Sequence, residues 1–277
     1  MFFVTKFDGS RQPYSREKVV TTSRRMGASS ENAERIAGEV ERRLYDGMPT
    51  EEILGIVREF LRECRPGLDL MVDLRKAMSS LRPKPDFERV VCLLLEEYGY
   101  EVTPNQIVRG RCVEHEIDAI ARRGGDVVYV EVKHHSNPHV YTGLDIMKEA
   151  RATFEDLTEG DQLGEKRIGF NKSLVICNTK FSDHALRYSA CRGIDHIGWK
   201  SPVKMGLERR VEEKELYPIT MFGGLTREEE EGLGNQGIVL LKQVLQQDAK
   251  SLARTSGLPE DSLEVLARFA IEVLGER

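Results

Sequence analysis

The sequence predicts an α/β protein: a mixed-sheet core in the middle of the chain, with a small helical unit carrying short strands before it and a helical unit after it. Three observations carry this. Residues 113–121 and 127–133 alternate β-branched with polar side chains on either side of Arg123-Gly124-Gly125-Asp126, which reads as a hairpin turn. Arg82-Pro83-Lys84-Pro85 stops a helical pattern with two prolines and favours an extended linker. A charged stretch from Lys204 to Glu215 follows Ser201-Pro202 and closes the sheet-forming region. Domains of residues 1–82, 83–202 and 203–277 result, with net charges of +2, −3 and −4.

In chain order, residues 2–7 read as a strand ended by the turn residues Asp8-Gly9-Ser10. Ser15 is a candidate N-cap for a first helix. Ser30 begins a second helix, with Ala33, Ile36, Ala37, Val40 and Leu44 at helical spacing, and Thr50 begins a third. Residues 68–81 form a fourth. A helix runs from Asp86 to about Tyr98, followed by strands at 100–103, 113–121 and 127–133 and a helix over 141–157. Ser173–Cys177 is a strand, Asp183–Cys191 a helix, and Ile194–Trp199 a strand. The last segment is helical, with Gly237 and Gly257-Leu258-Pro259 before its later helices.

The chain has 277 residues, of which 40% are hydrophobic and 31% charged, enough apolar material for a substantial core. No apolar run approaches the roughly 18 residues of a membrane span, so no membrane association is expected, and Met1–Lys6 lacks the pattern of a signal peptide. The five cysteines contain no CxxC pair and read as reduced thiols of a cytoplasmic protein. A net charge of −5 excludes a uniformly basic nucleic-acid coat but permits a local basic groove.

The sharpest chemical signal is Glu116-Ile117-Asp118-Ala119-Ile120 followed by Glu131-Val132-Lys133. With the turn centred on Gly124-Gly125, cross-strand partners have numbers summing to about 249, and Asp118 lies opposite Glu131. Glu131 and Lys133 share a face. Two neighbouring carboxylates suit a hard divalent cation such as Mg²⁺, which lowers the pKa of bound water and offsets charge on a phosphate. A lysine beside them can orient the attacking water. A surface hairpin with an ordinary salt bridge is the competing reading of the same spacing. His134, His135 and His139 fit no standard zinc spacing and are read as loop residues facing DNA or solvent.

Phe87-Glu88, Val90-Val91-Cys92-Leu93-Leu94-Leu95, Gly99-Tyr100-Glu101-Val102, His115-Glu116-Ile117-Asp118 and Glu131-Val132-Lys133-His134-His135, with Cys191-Arg192-Gly193-Ile194 and Gly198-Trp199 later, resemble the Mrr-type branch of the PD-(D/E)XK nucleases. The resemblance covers about residues 85–202. It implies a restriction-endonuclease-like core that cleaves DNA with Mg²⁺. Asp118, Glu131 and Lys133 would be the catalytic trio, with Asp118 and Glu131 on the metal, and Glu88 an accessory acid. Members often carry a glutamine on the following helix, and none stands near Gly143-Leu144-Asp145.

Val4-Thr5-Lys6, Asp8-Gly9, Tyr14-Ser15-Arg16-Glu17-Lys18-Val19 and Leu74-Arg75-Lys76 resemble the ATP-cone, a nucleotide-binding regulatory domain. This implies ATP or dATP as a regulatory ligand, with Lys6, Arg11 and Lys18 facing its phosphates. The C-terminal helices resemble helix-hairpin-helix modules, with turns at Asn235-Gln236-Gly237-Ile238 and Ser256-Gly257-Leu258-Pro259; a packing or dimerisation bundle is the other reading. The resulting expectation is a cytoplasmic, Mg²⁺-dependent DNA endonuclease, regulated by nucleotide and assembled as a homodimer. The alternative is a catalytically inactive DNA-binding or nucleotide-sensing regulatory protein.

Overall fold

The computed structural model describes residues 2–64, 70–163 and 168–275, without the side chains of Arg25, Cys64 and Leu163. The first unit opens with a hairpin, β1 (Phe3–Thr5) and β2 (Arg11–Pro13), whose turn places Gly9 at φ +77°. Helix α1 (Arg16–Arg25) begins where the Ser15 side chain accepts from the Lys18 amide, as the sequence predicts. Helix α2 (Ser30–Arg43) is capped by Ser29, and β3 (Met48–Pro49) leads into α3 (Thr50–Cys64). The three strands order as β2-β1-β3. Val19, Met26, Ile36, Ala37, Val40, Met48, Ile56, Val57 and Leu61 form a core of their own beside them. The 3.6-residue spacing of these side chains is what made the helices legible.

Helix α4 (Leu74–Ser80) packs elsewhere: its Leu74, Ala77 and Met78 join the core under the central sheet. The fourth helix expected over 68–81 therefore starts later than its pattern suggested, and residues 65–69 lie outside the described residues.

After a turn at Pro83–Phe87, α5 (Glu88–Glu97) leads to β4 (Glu101–Arg109), β5 (Glu114–Arg123) and β6 (Asp126–Lys133). β7 (Tyr141–Thr142), α6 (Leu144–Leu163), β8 (Lys172–Cys177), β9 (Lys180–Phe181), α7 (Asp183–Arg192) and β10 (Ile194–Ile197) complete this region. The sheet order is β10-β8-β6-β5-β4, antiparallel from β4 to β6 and parallel from β6 to β10. The hairpin register is the one that the Gly124-Gly125 turn dictates: Ala119 pairs with Val130 and Arg123 with Asp126. β4 runs six residues past the expected end at Thr103, through Pro104. It is the edge strand, where a proline without an N–H costs no ladder bond.

Side chains alternate between two cores. Ala119, Ala121, Val128, Val130, Leu174 and Ile176 face α5. Ile120, Tyr129, Val175 and Cys177 face α6 and α7 through Met147, Ala150, Leu157 and Ala185. Gly160 of α6 approaches Gly110 so closely that a Cβ would lie 2.7 Å from its carbonyl carbon.

The C-terminal part contains α8 (Leu207–Glu213), α9 (Arg227–Asn235), α10 (Leu241–Val244), α11 (Ala249–Ser256) and α12 (Glu260–Leu274). Leu233, Leu241, Leu252, Leu263, Leu266 and Phe269 merge with the core on the α5 side. The turn at Gly237 is consumed by this packing. Its amides bond internally: Gly237 to the Gly234 carbonyl, Ile238 to the Leu233 carbonyl, and both Val239 and Leu240 to Gln243 Oε1. Gly237 is also pressed against the Arg89 guanidinium. Those N–H groups are spent on the fold, so the packing reading of this turn has the structural support.

Candidate active site

Asp118 of β5 stands beside Glu88 at the N-terminus of α5, and Glu131 and Lys133 lie on the adjacent strand β6. The ladder opens at Asp118. Its position opposite Asn105 is missing from the β4 pairing, and Asn105 adopts φ +46°. On the other side the β5–β6 pairing ends at Ala119 and Val130. Asp118 Oδ2 then takes the Val132 N–H at 2.8 Å, a backbone donor between Glu131 and Lys133. The largely buried Asp118 carboxylate is thereby held beside the strand that carries the other two members of the trio.

Glu131 is held differently. The buried Tyr129 hydroxyl, two residues earlier on the same face, donates to Glu131 Oε2 at 2.6 Å. Burial pushes the Glu131 carboxyl above its ordinary range, the Tyr129 hydrogen bond opposes this, and the charges of Asp118 and Glu149 add to the rise while Lys133 lowers it. Glu149, on α6, thus stands at the electrostatic periphery of the site. It lies on the helix at whose start, near Gly143-Leu144-Asp145, no glutamine stands.

Glu88 opens α5. Its carboxyl is pushed up to about 7, first by burial and then by the negative charge of Asp118. Burial and a neighbouring carboxylate both disfavour the ionised form of Glu88, and a cation placed beside it would favour that form. The structure supplies a cation from within. Lys84 Nζ lies 3.2 Å from Glu88 Oε1, 2.9 Å from Glu116 Oε1 and 3.2 Å from Asp118 Oδ1. In the sequence Lys84 lies in the proline-rich linker, and Glu116 is only a neighbour of the trio. No sequence signal connects residue 84 with residues 116 and 118, because the contact spans more than thirty positions.

The surrounding elements hold the strand ends. Asp156 of α6 accepts from the Cys112 amide at 2.8 Å and lies 2.8 Å from His115 Nε2, which fixes the entry into β5. These bonds, that to His115 foremost, hold the Asp156 carboxyl far below its ordinary range. Past Lys133, the fully buried Asn178 accepts from the His135 amide and donates to the His135 carbonyl, both at 2.8 Å, and donates to Ser79 Oγ at 3.1 Å. His134 Nε2 is 3.1 Å from the Met78 carbonyl. The histidines after Lys133 are therefore partly buried supports of the β6 exit, and only His139 of the three is exposed.

The donor chemistry of Glu88, Asp118 and Glu131 suits a hard divalent cation, since all three carry carboxylate oxygens and all three are buried or partly buried. Among the described residues, no group of three or more His, Cys, Asp or Glu side chains is gathered around one point in the manner of a formed metal centre. Lys84 engages Glu88 and Asp118, while one Glu131 oxygen accepts from Tyr129.

In the N-terminal unit, Arg11 pairs with Asp46 at 2.6 Å and lies over the Phe3 ring. Lys18 Nζ donates to Gln12 Oε1 at 3.2 Å. Arg11 and Gln12 are successive strand residues, so Arg11 and Lys18 are associated with opposite faces of the small sheet. Lys6 follows β1; the Asp8 carboxyl beyond it is lowered first by the hydrogen bonds from Ser10 and, to a smaller degree, by the charge of Lys6. Among the described residues, no helix is long and apolar enough to cross a membrane.

Two family models match parts of this chain. Residues 2–68 match the ATP cone domain, and residues 80–198 match a restriction endonuclease domain of Mrr type. An uncharacterized protein of Archaeoglobus fulgidus is 38% identical over 182 residues, which cover 66% of this chain and 98% of the relative. A crystal structure of a protein of unknown function superposes with a TM-score of 0.59 at 37% identity, covering 68% of this chain and 97% of that one.

Proposed function

We propose, for a chain that belongs to one family with the Archaeoglobus fulgidus protein and joins an ATP cone domain to a nuclease-type restriction endonuclease domain, that it hydrolyses DNA phosphodiester bonds with Mg²⁺ under the control of ATP or dATP. The observation that carries the reading is the buried Asp118 with the partly buried Glu88 and Glu131, each repelled by its charge, beside Lys133 in a domain of nuclease type. Such a set is costly in a protein interior unless a cation compensates it.

Asp118 and Glu131 would hold the ion, and Glu88 would assist from the start of α5. When bound, Mg²⁺ lowers the pKa of water and offsets charge on the phosphate oxygens. Lys133 orients the attacking water and offsets negative charge that grows as the new P–O bond forms and the old one breaks. The Tyr129 hydroxyl fixes one Glu131 oxygen. The Asp118–Val132 hydrogen bond sets the spacing between the two strands at the reacting end.

One observation favours a second reading, a DNA-binding or nucleotide-sensing protein without cleavage: Lys84 already neutralises part of the acidic set. A cleavage panel separates the two. Duplex, single-stranded and branched DNA are incubated with Mg²⁺, Mn²⁺ or chelator, with and without ATP. The proposed function requires metal-dependent scission that Asp118→Asn reduces by more than about 100-fold, a typical loss for one transition-state contact. Absence of scission with every metal and substrate, alongside intact DNA binding, supports the second reading.

A further inference from the structure

Lys84 is the feature that neither the sequence reading nor the proposed mechanism uses. Its backbone is extended (φ −122°, ψ 137°) between Pro83 and Pro85, which aims the side chain at the sheet end. Its ammonium carries three hydrogens and meets three carboxylate oxygens at 2.9–3.2 Å, from Glu116, Asp118 and Glu88. The Asp118 and Glu88 side chains are only 9% and 15% exposed, whereas Lys84 is 55% exposed. The cation therefore reaches in from the rim, on a flexible four-carbon stem, to carboxylates that are otherwise enclosed.

We infer that Lys84 is a resident counter-cation that competes with the divalent ion for Asp118 and Glu88, so that metal entry requires the lysine to withdraw. This rests on the metal-binding reading of Asp118. Two like charges drawing on the same carboxylate oxygens repel strongly at such a distance, so the two cations exclude one another. The exchange is cheap in one direction only. The half-exposed ammonium regains water when it leaves, while the enclosed carboxylates need a cation in either state. The lysine thus keeps the acidic set folded and soluble without metal, and sets a threshold for metal loading. Once displaced, its ammonium remains at the rim, placed to meet a phosphate of the nucleic-acid backbone.

The test is calorimetric titration of Mn²⁺ into the full chain, comparing the wild type with Lys84→Met, Lys84→Arg and Lys84→Met combined with Asp118→Asn. Thermal unfolding with and without metal accompanies it. Lys84→Met should bind Mn²⁺ about tenfold more tightly, the worth of a few partly exposed ion pairs, while Lys84→Arg stays near wild type. Lys84→Met should also unfold at a lower temperature in chelator and show a larger metal-induced rise. Equal or weaker binding by Lys84→Met, with Asp118→Asn still abolishing it, overturns the inference and leaves the metal site standing. Binding indifferent to Asp118→Asn overturns both. Should Lys84→Met not fold, the Lys84 ammonium resonance of the wild type decides. Loss of its ion-paired signature during Mn²⁺-free Mg²⁺ titration supports exchange, and an unchanged signature refutes it.

Discussion

Metal affinity should depend on pH through Glu88, and the structure gives both the direction and the size. Burial and the charge of Asp118 raise this carboxyl from 4.5 to about 7. At pH 5.5 only about 3% of such a group is ionised, and at pH 7.5 about three-quarters is, so a metal that needs the carboxylate gains about 25-fold, or about 1.9 kcal/mol. A carboxyl titrating at its ordinary value would change by only about a tenth over the same range. Glu131, raised for the same reasons, acts in the same direction. The sign for stability is opposite. A raised carboxyl binds its proton more tightly when folded, so its favourable contribution is full below about 4.5 and is lost as pH rises through about 7. Glu230, also pushed up to about 7 by burial, adds to this loss. The assay is Mn²⁺ calorimetry from pH 5.5 to 7.5 in buffers of differing ionisation enthalpy, which counts protons released. Glu88→Gln should flatten much of the pH dependence and reduce the proton count. A wild-type affinity that is flat over this range, with no proton release, would refute the reasoning.

Three further outcomes follow from particular contacts. Tyr129→Phe removes the donor to Glu131 Oε2 at 2.6 Å and leaves a partly buried carboxylate short of a partner; urea unfolding should register a loss of about 1–3 kcal/mol, and an unchanged midpoint would contradict the role given to this hydroxyl. Gly160→Ala places a methyl 2.7 Å from the Gly110 backbone, so α6 must shift off the β4–β5 turn; a loss of about 1–3 kcal/mol in unfolding is expected, against near-neutrality if the helix docks loosely. Lys18→Ala should weaken ATP binding in calorimetry while leaving the melting temperature of the apo chain within a few degrees, because the Lys18–Gln12 contact is exposed. Unchanged heats with ATP would remove Lys18 from the nucleotide site.

What the sequence disclosed was local in origin. The period-2 pattern and the Gly124-Gly125 turn gave the register that pairs Ala119 with Val130, because a hairpin is specified by a few neighbouring residues. Helices α1 and α3 were legible from a cap and an apolar stripe. The continuation of β4 through Pro104 is not legible locally, since a proline ordinarily interrupts a ladder and only the strand order shows that this strand lies at an edge. The allegiance of α4 to the central core, rather than to the N-terminal unit, depends on packing between distant segments that no window of sequence contains. The candidate site divides in the same way. Asp118, Glu131 and Lys133 stand out because charged residues interrupt buried strands. Lys84 did not, since a lysine between two prolines looks like a solvated linker. Its role appears only when folding brings it to Glu116 and Asp118. Tyr129 was hidden among the apolar residues of its strand, and its hydroxyl matters only because Glu131 lies within reach.

The most direct test of the central claim is anomalous diffraction from crystals of the full chain soaked in Mn²⁺. The account requires one strong peak within coordination distance, about 2.0–2.3 Å, of Asp118 and Glu131 oxygens, with Lys84 drawn away from Asp118. A peak bound elsewhere, or Mn²⁺ at saturating concentration leaving Asp118 and Glu131 untouched with Lys84 still in place, would contradict it.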